Sequence, residues 1–240
     1  MRDKPQVLTV RELHLRPQKT AALVATEELI LHNRIGIFGD CHANALSPRQ
    51  VLIVFDDAYG QLEIPEGTLK ENILLSGIDS QDLQSGDTLS LDDGRAELRI
   101  TFPWEPCGRL NKVRPNLCRD SQGQRGYLAR VVSSGRLCVN DHLQLTKAVY
   151  PSFSDDWRER VLSVARRVPT NSYLSYTRLA LLAGVAHSYC RAFPRLLHSH
   201  LSADRVQRIL PSTLSSLLLE WDGEAVFEPE LLSQKHAVHI

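Results

Sequence analysis

The chain has 240 residues, 42% of them apolar and 23% charged, with 28 basic residues balanced by 28 acidic ones. With that balance no whole-chain basicity points to nucleic acid and no acidity to a solvating tail, and no run of ~18 or more apolar residues reads as a membrane span. The length suits two domains, and Met1-Arg2-Asp3-Lys4-Pro5 is not followed by an apolar stretch of signal-peptide type, so a cytoplasmic protein is expected.

Up to about Thr146 the chain reads as short strands separated by turn residues. Val51–Phe55, Ala96–Phe102 and Leu128–Val132 are strand-like runs, and Asp92-Asp93-Gly94, Ser133-Ser134-Gly135 and Val139-Asn140-Asp141 are turn signals. This punctuation favours a β-barrel or a sandwich. Ser85–Leu91 and Val139–Leu145 share a pattern in which a turn aspartate precedes alternating residues, as in two related barrel strands. Residues 147–156, with Pro151, Ser152, Ser154 and two aspartates, read as a linker and the approach to a helix. From Trp157 the period becomes helical: Trp157, Val161, Val164 and Val168 share one face, Asp155 or Asp156 is the expected cap, and Pro169 the stop. Ser175 is the expected N-cap of a helix over Tyr176–Ala183 that ends at Gly184. A third helix is expected over about His187–His198, with Pro194 either kinking it or marking its first turn, and Trp221–Phe227 as a strand turn. Three short helices with tight connections suit a helix-turn-helix or winged-helix module. The expected fold class is therefore α+β and multidomain, with a mostly-β domain over 1–146, a linker over 147–156 and a small helical winged-helix-like domain with a tail over 157–240.

Five cysteines, Cys41, Cys107, Cys118, Cys138 and Cys190, are an odd number without regular spacing, which argues against a disulfide scaffold and a zinc knuckle. Cys41, Cys118, Cys138 and Cys190 read as small buried hydrophobes. Cys107 stands apart in Trp104-Glu105-Pro106-Cys107-Gly108-Arg109-Leu110, followed by Lys112 and Arg114, a cationic setting that favours a thiolate. Upstream lie Gly36-Ile37-Phe38-Gly39-Asp40-Cys41-His42, Ser47-Pro48-Arg49-Gln50 and Gly67-Thr68-Leu69-Lys70-Glu71-Asn72-Ile73; downstream lies Arg125-Gly126-Tyr127-Leu128-Ala129-Arg130. In this order the segments, spanning roughly Val7–Leu145, resemble the MOSC domain, related to the C-terminal part of molybdenum cofactor sulfurases. The resemblance implies a mostly-β barrel that binds a molybdenum cofactor, with Cys107 as the sulfur-carrying or molybdenum-ligating residue. Asp40, His42, Arg49, Asn72, Arg109 and Arg130 are the implied cofactor-binding residues, the arginines being suited to an oxyanion. The second cysteine that reductases of this superfamily carry is replaced by Leu110. A reductase of N-hydroxylated compounds would draw its electrons from a separate donor protein; a sulfur carrier is the other enzymatic reading.

Residues 160–197 resemble the DNA-binding domain of O6-alkylguanine-DNA alkyltransferases, through Arg166–Ala180 and Cys190-Arg191-Ala192-Phe193. The resemblance assigns Tyr176 to turning a nucleotide out of the duplex and Arg191 to filling the gap. The acceptor cysteine is absent, its counterpart being Ala203, and Asp204 stands where the family has histidine; no alkyl transfer is expected, as in the alkyltransferase-like proteins. Between Trp157 and Arg208 nine arginines face only Glu159 and Asp204, a local excess expected of a DNA or nucleobase partner. Two alternatives stay open: a non-catalytic DNA-binding or alkylated-DNA-sensing protein on a MOSC scaffold, and a helical half that docks a protein.

Overall fold

The computed structural model describes residues 6–77, 82–105, 108–121, 126–211, 218–223 and 226–227. The chain divides into two compact units, Met1–Ala45 with Arg49–Phe153, and Leu46–Pro48 with Ser154–Ile240.

In the first unit the strands are β1 (Gln6–Leu15), β2 (Val24–Thr26), β3 (Glu28–His32), β4 (Gly36–Ile37), β5 (Val51–Phe55), β6 (Ile73–Ser76), β7 (Thr88–Leu91), β8 (Glu97–Pro103), β9 (Tyr127–Ser133), β10 (Gly135–Cys138) and β11 (His142–Thr146). The order β11-β7-β8-β9-β5-β6-β1 closes through pairing of β1 with β11, so among the described residues seven strands form a closed barrel, with β2 added to the far end of β1. Closure removes the exposed edges that an open sheet would present. The strand run Val51–Phe55 is apolar at every position because β5 is buried on both faces. Val51, Ile53 and Phe55 face the barrel core, while Leu52 and Val54 join a second cluster under helix α1 (Asp57–Leu62) with Tyr59, Leu62, Leu69 and Leu117 of helix α2 (Leu117–Asp120). β5 and β6 pair in parallel, joined through α1, and the other ring pairings are antiparallel. The two stretches with a shared pattern are neighbours: β7 and β11 pair, with Leu89 opposite Leu145 and Leu91 opposite Leu143.

The segment read as a linker is partly built into this unit. Asp87, 1% exposed, accepts hydrogen bonds from Ala148 N–H (2.9 Å) and Lys147 Nζ (3.2 Å). Buried Arg99 donates to the Pro151 carbonyl at 2.7 Å and lies over the rings of Tyr150 and Phe153. These bonds join residues 52 to 61 positions apart, which a local reading of turn-rich composition does not register.

The second unit contains α3 (Trp157–Arg167), β12 (Ser172–Ser175), α4 (Tyr176–Leu182), α5 (Phe193–His200), α6 (Ala203–Val206), β13 (Ile209–Leu210) and β14 (Leu219–Glu220). The caps lie where the sequence puts them: Asp156 accepts from Arg158 N–H at 2.9 Å and Ser175 from Arg178 N–H at 3.3 Å. The expected third helix is instead two elements, a 3-10 turn His187–Ala192 and α5. Pro194 sits in the first turn of α5, where its missing N–H removes no intrahelical bond. The expected strand turn at Trp221 is also displaced, since β14 ends at Glu220; β12 pairs in parallel with both β13 and β14. Among the described residues no helix is long and apolar enough to cross a membrane.

Candidate functional site

The site is built on the loop after β4. Gly39 takes φ +80°, a left-handed conformation open to glycine, and turns the chain into Asp40. The Asp40 side chain is wholly buried and accepts hydrogen bonds at both oxygens. Oδ1 takes the His42 main-chain N–H at 2.8 Å and His42 Nδ1 at 2.9 Å; Oδ2 takes Asn72 Nδ2 at 2.9 Å and the Arg16 main-chain N–H at 3.0 Å. Burial works to raise the Asp40 pKa, but the bonds from the His42 side chain, His42 N–H and Arg16 N–H outweigh it and hold the carboxyl below its ordinary value of 3.8.

Asn72, 4% exposed, ties this loop to the barrel. Its Nδ2 also donates to the His14 carbonyl at 3.2 Å, its Oδ1 accepts Leu52 N–H at 3.1 Å, and its main chain exchanges bonds with Leu52 and His14. Arg130 on β9, 4% exposed, donates to the Ala45 carbonyl at 2.9 Å and so braces the far end of the same loop. Arg49 is half-buried just ahead of β5.

Arg16, at the end of β1, completes the cluster. Its Nη2 lies 2.7 Å from His42 Nε2, and its Nε is buried without a hydrogen-bond partner. A guanidinium cannot accept a hydrogen bond and an ionised carboxylate cannot donate one. The Arg16 Nη2 lies close to both ring nitrogens, 3.2 Å from Nδ1 and 2.7 Å from Nε2, while Nδ1 is the nitrogen that reaches Asp40. Half-buried Cys41 lies alongside, its Sγ 3.5 Å from Nδ1 and 3.9 Å from Nε2. Its main-chain N–H donates to the Arg16 carbonyl at 2.8 Å.

Of the residues expected from the sequence, Asp40, His42 and Asn72 thus meet in one bonded cluster, and Arg130 supports its loop. Cys107 lies outside the described residues, and Arg109 is described only as backbone of the 3-10 turn Gly108–Lys112. Arg114 is committed to Asp120 at 3.0 Å and to the Leu62 carbonyl. Arg16 and Cys41 were not picked out by sequence reasoning. Arg16 carries no local signal, being 26 positions from His42; Cys41 resembled the other isolated cysteines.

In the second unit Tyr176 packs edge-on against Phe193 with ring centroids 5.6 Å apart, and Arg191 is exposed in the 3-10 turn before α5. The arginine excess is not one surface patch. Arg160, 3% exposed, donates to the carbonyls of Ala183, Ser154 and Asp155. Arg208, 8% exposed, holds those of Val168 and Pro169. Arg178 pairs with Glu220 and donates to Trp221. These guanidiniums brace the unit from inside, because a fork of five donors satisfies several buried carbonyls at once.

Residues 33–144 match the family model of the MOSC domain. A protein named reductase from Gibberella moniliformis (strain M3125 / FGSC 7600) is 29% identical over 153 residues, 60% of this chain. The chain spans about a quarter (27%) of that curated relative's length. The YuaD protein from Bacillus subtilis has a similar fold, with a TM-score of 0.52 at 21% identity over 59% of this chain and 97% of that one. A crystal structure of a hypothetical protein matches with a TM-score of 0.50 at 21% identity, over 82% of this chain and 92% of its own.

Proposed function

We propose, from the MOSC-domain match over residues 33–144, that the barrel unit binds a molybdenum cofactor and serves a MOSC-type reaction, reduction of N-hydroxylated compounds or sulfur transfer. The observation that carries this reading is the Arg16–His42–Asp40–Asn72 cluster. It offers a buried, unspent guanidinium N–H beside a fixed imidazole, a donor set that suits the oxyanion end of such a cofactor. When bound, the cofactor would supply redox chemistry at molybdenum. Arg16, Arg49 and Arg109 would hold its anionic end, with His42 lining the same site. Asp40 and Asn72 would keep His42 oriented, Arg130 would act through the loop it braces, and Cys107 would provide the soft thiolate ligand or carry the sulfur. The name of the Gibberella relative supports the reductive arm, which takes its electrons from a separate donor protein.

The test is molybdenum and pterin content of the full chain purified from a host that makes the cofactor. Near-stoichiometric molybdenum is expected, lost in Cys107→Ser and reduced in Arg16→Ala. No molybdenum in the unsubstituted protein would overturn the cofactor reading and leave sulfur carriage or a scaffold role.

For the second unit we infer a winged-helix-like, alkyltransferase-like module that contacts DNA or a nucleobase, with Arg191 and Tyr176 at the contact. Exposure of Arg158, Arg166, Arg191 and Arg195 supports this; the total arginine count does not, since Arg160 and Arg208 are internal. Binding to a short duplex should weaken with added salt, and Arg191→Ala should lower the salt slope by about one. Binding indifferent to salt, or none, would favour docking to a protein.

A further inference from the structure

A three-stranded sheet in the order β10-β3-β4 has two unlike faces. Leu29 and Leu31 of β3, Ile37 of β4 and Leu137 of β10 are at most 2% exposed and make the inner face, with Leu29 opposite Leu137 and Leu31 opposite Ile37. Alternation sends Glu28, Ile30 and His32 of β3 the other way, with Arg136 of β10 opposite Ile30. Just past β4, Phe38 donates its N–H to the Ile30 carbonyl at 2.8 Å, so Arg136, Ile30 and Phe38 form a row across the outer face. Phe38 is 70% exposed, and Ile35 in the β3–β4 turn is 49% exposed. The main chain beneath them is fixed nonetheless, since the Ile35 carbonyl accepts Asn44 N–H at 2.8 Å, and the Phe38 ring leans on that of His32 with centroids 5.7 Å apart. Single exposed apolar side chains are ordinary on a protein surface. Two large ones three positions apart on a pinned backbone, continuous with half-buried Ile30, make a preformed apolar centre.

Charge says what fits this centre. Exposed Glu27 and Glu28 stand at the start of β3, and exposed His32 and Arg34 at its end. Glu28 is paired with Arg136 at 3.1 Å, but both side chains stay open to solvent. A strand acidic at one end and basic at the other is complementary to itself when turned about a two-fold axis through its middle, here Ile30. We infer that the outer face of this sheet is the contact between two copies of the chain. Phe38, Ile35 and Ile30 of each copy meet at the axis, and the Glu27–Glu28 end of one β3 lies against the His32–Arg34 end of the other. The aromatic anchor counts twice, because both copies bring it to the centre of the contact. None of these residues is among those assigned to the cofactor, so the contact stands or falls apart from the cofactor reading.

Sedimentation velocity of the full chain at rising concentration should show a monomer–dimer equilibrium. Phe38→Ser should weaken it by about tenfold or more. Glu27→Lys with Glu28→Lys makes both ends of β3 basic, and Arg34→Glu makes both acidic. Each of these proteins alone should dimerise about tenfold more weakly, because like charges now face each other across the axis. Mixed together they should recover a dimer containing one copy of each, a result that only the antiparallel arrangement gives. Circular dichroism of each variant distinguishes lost association from lost fold. A monomer at every concentration would overturn the proposal and leave the face to a different protein. A dimer indifferent to Phe38→Ser, or charge variants that do not recover on mixing, would overturn it as well.

Discussion

Asp40→Ala is expected to destabilise the barrel unit by about 3–5 kcal/mol and to release the loop that carries His42. Four donors lose their acceptor together: His42 N–H, His42 Nδ1, Arg16 N–H and Asn72 Nδ2. Each buried donor left unsatisfied costs ~1–3 kcal/mol, and water entering the gap makes the sum less than additive. Asp40→Asn keeps the shape but turns an amide toward groups that themselves donate, so it should fall between alanine and the native residue. Urea unfolding of the three proteins measures the ranking; an alanine variant within ~1 kcal/mol of the native protein would show that the cluster holds nothing together. The same carboxylate sets an acid limb. Its folded pKa lies below its ordinary 3.8, so the stability it contributes is complete above that value and drains away as pH falls below it through the folded pKa. Asp40→Asn should flatten that part of the stability-against-pH curve, while a curve unchanged below pH 4 would assign the acid limb to other carboxylates.

Gly126→Ala should cost about 3 kcal/mol or more, a fall of roughly 6–12 °C in Tm at ~2–4 °C per kcal/mol. The residue has φ +69°, and a Cβ there would run into the Ile53 carbonyl oxygen and stand 2.9 Å from Val54 Cγ2. Neither the strained dihedral nor the backbone oxygen of β5 can be relieved by a side-chain rotation, because Ile53 is paired with Tyr127 on β9 at this point. Gly67→Ala is the control: its φ is +75° but nothing lies within 4 Å of the added methyl, so it carries the dihedral strain alone, ~1 kcal/mol. Thermal scans in which the two substitutions cost the same would show that the close approach to β5 is relieved in solution.

Several parts of this molecule were legible before any coordinates. The unbroken apolar run of β5 follows from burial on both faces, and the shared pattern of β7 and β11 from neighbouring places in one ring. Asp156 and Ser175 cap their helices because a short oxygen-bearing side chain at a helix start satisfies the amide two or three residues on. Pro194 as a kink and Pro194 as a first turn look alike in the sequence, since the two differ only in where the helix starts, and the start at Phe193 settles it as the first turn. At the site, Asp40, His42 and Asn72 could be singled out by their segments, whereas Arg16 and Cys41 could not. An arginine count likewise does not separate Arg191, which faces solvent, from Arg160, which is spent on three carbonyls.

What the amino-acid order determined alone is therefore the set of short-range elements: strands, turns, caps and the change of period at Trp157, all governed by neighbours within about one turn of chain. Tertiary structure decided which of those elements meet. Pairing of β1 with β6 sets Asn72 beside His14 at the end of β1 that leads into Arg16, so that Arg16 meets His42 across 26 positions and Asn72 meets Asp40 across 32. Bonds over such separations depend on the register of the whole barrel, so the chemistry of the site appears only once every strand is in place.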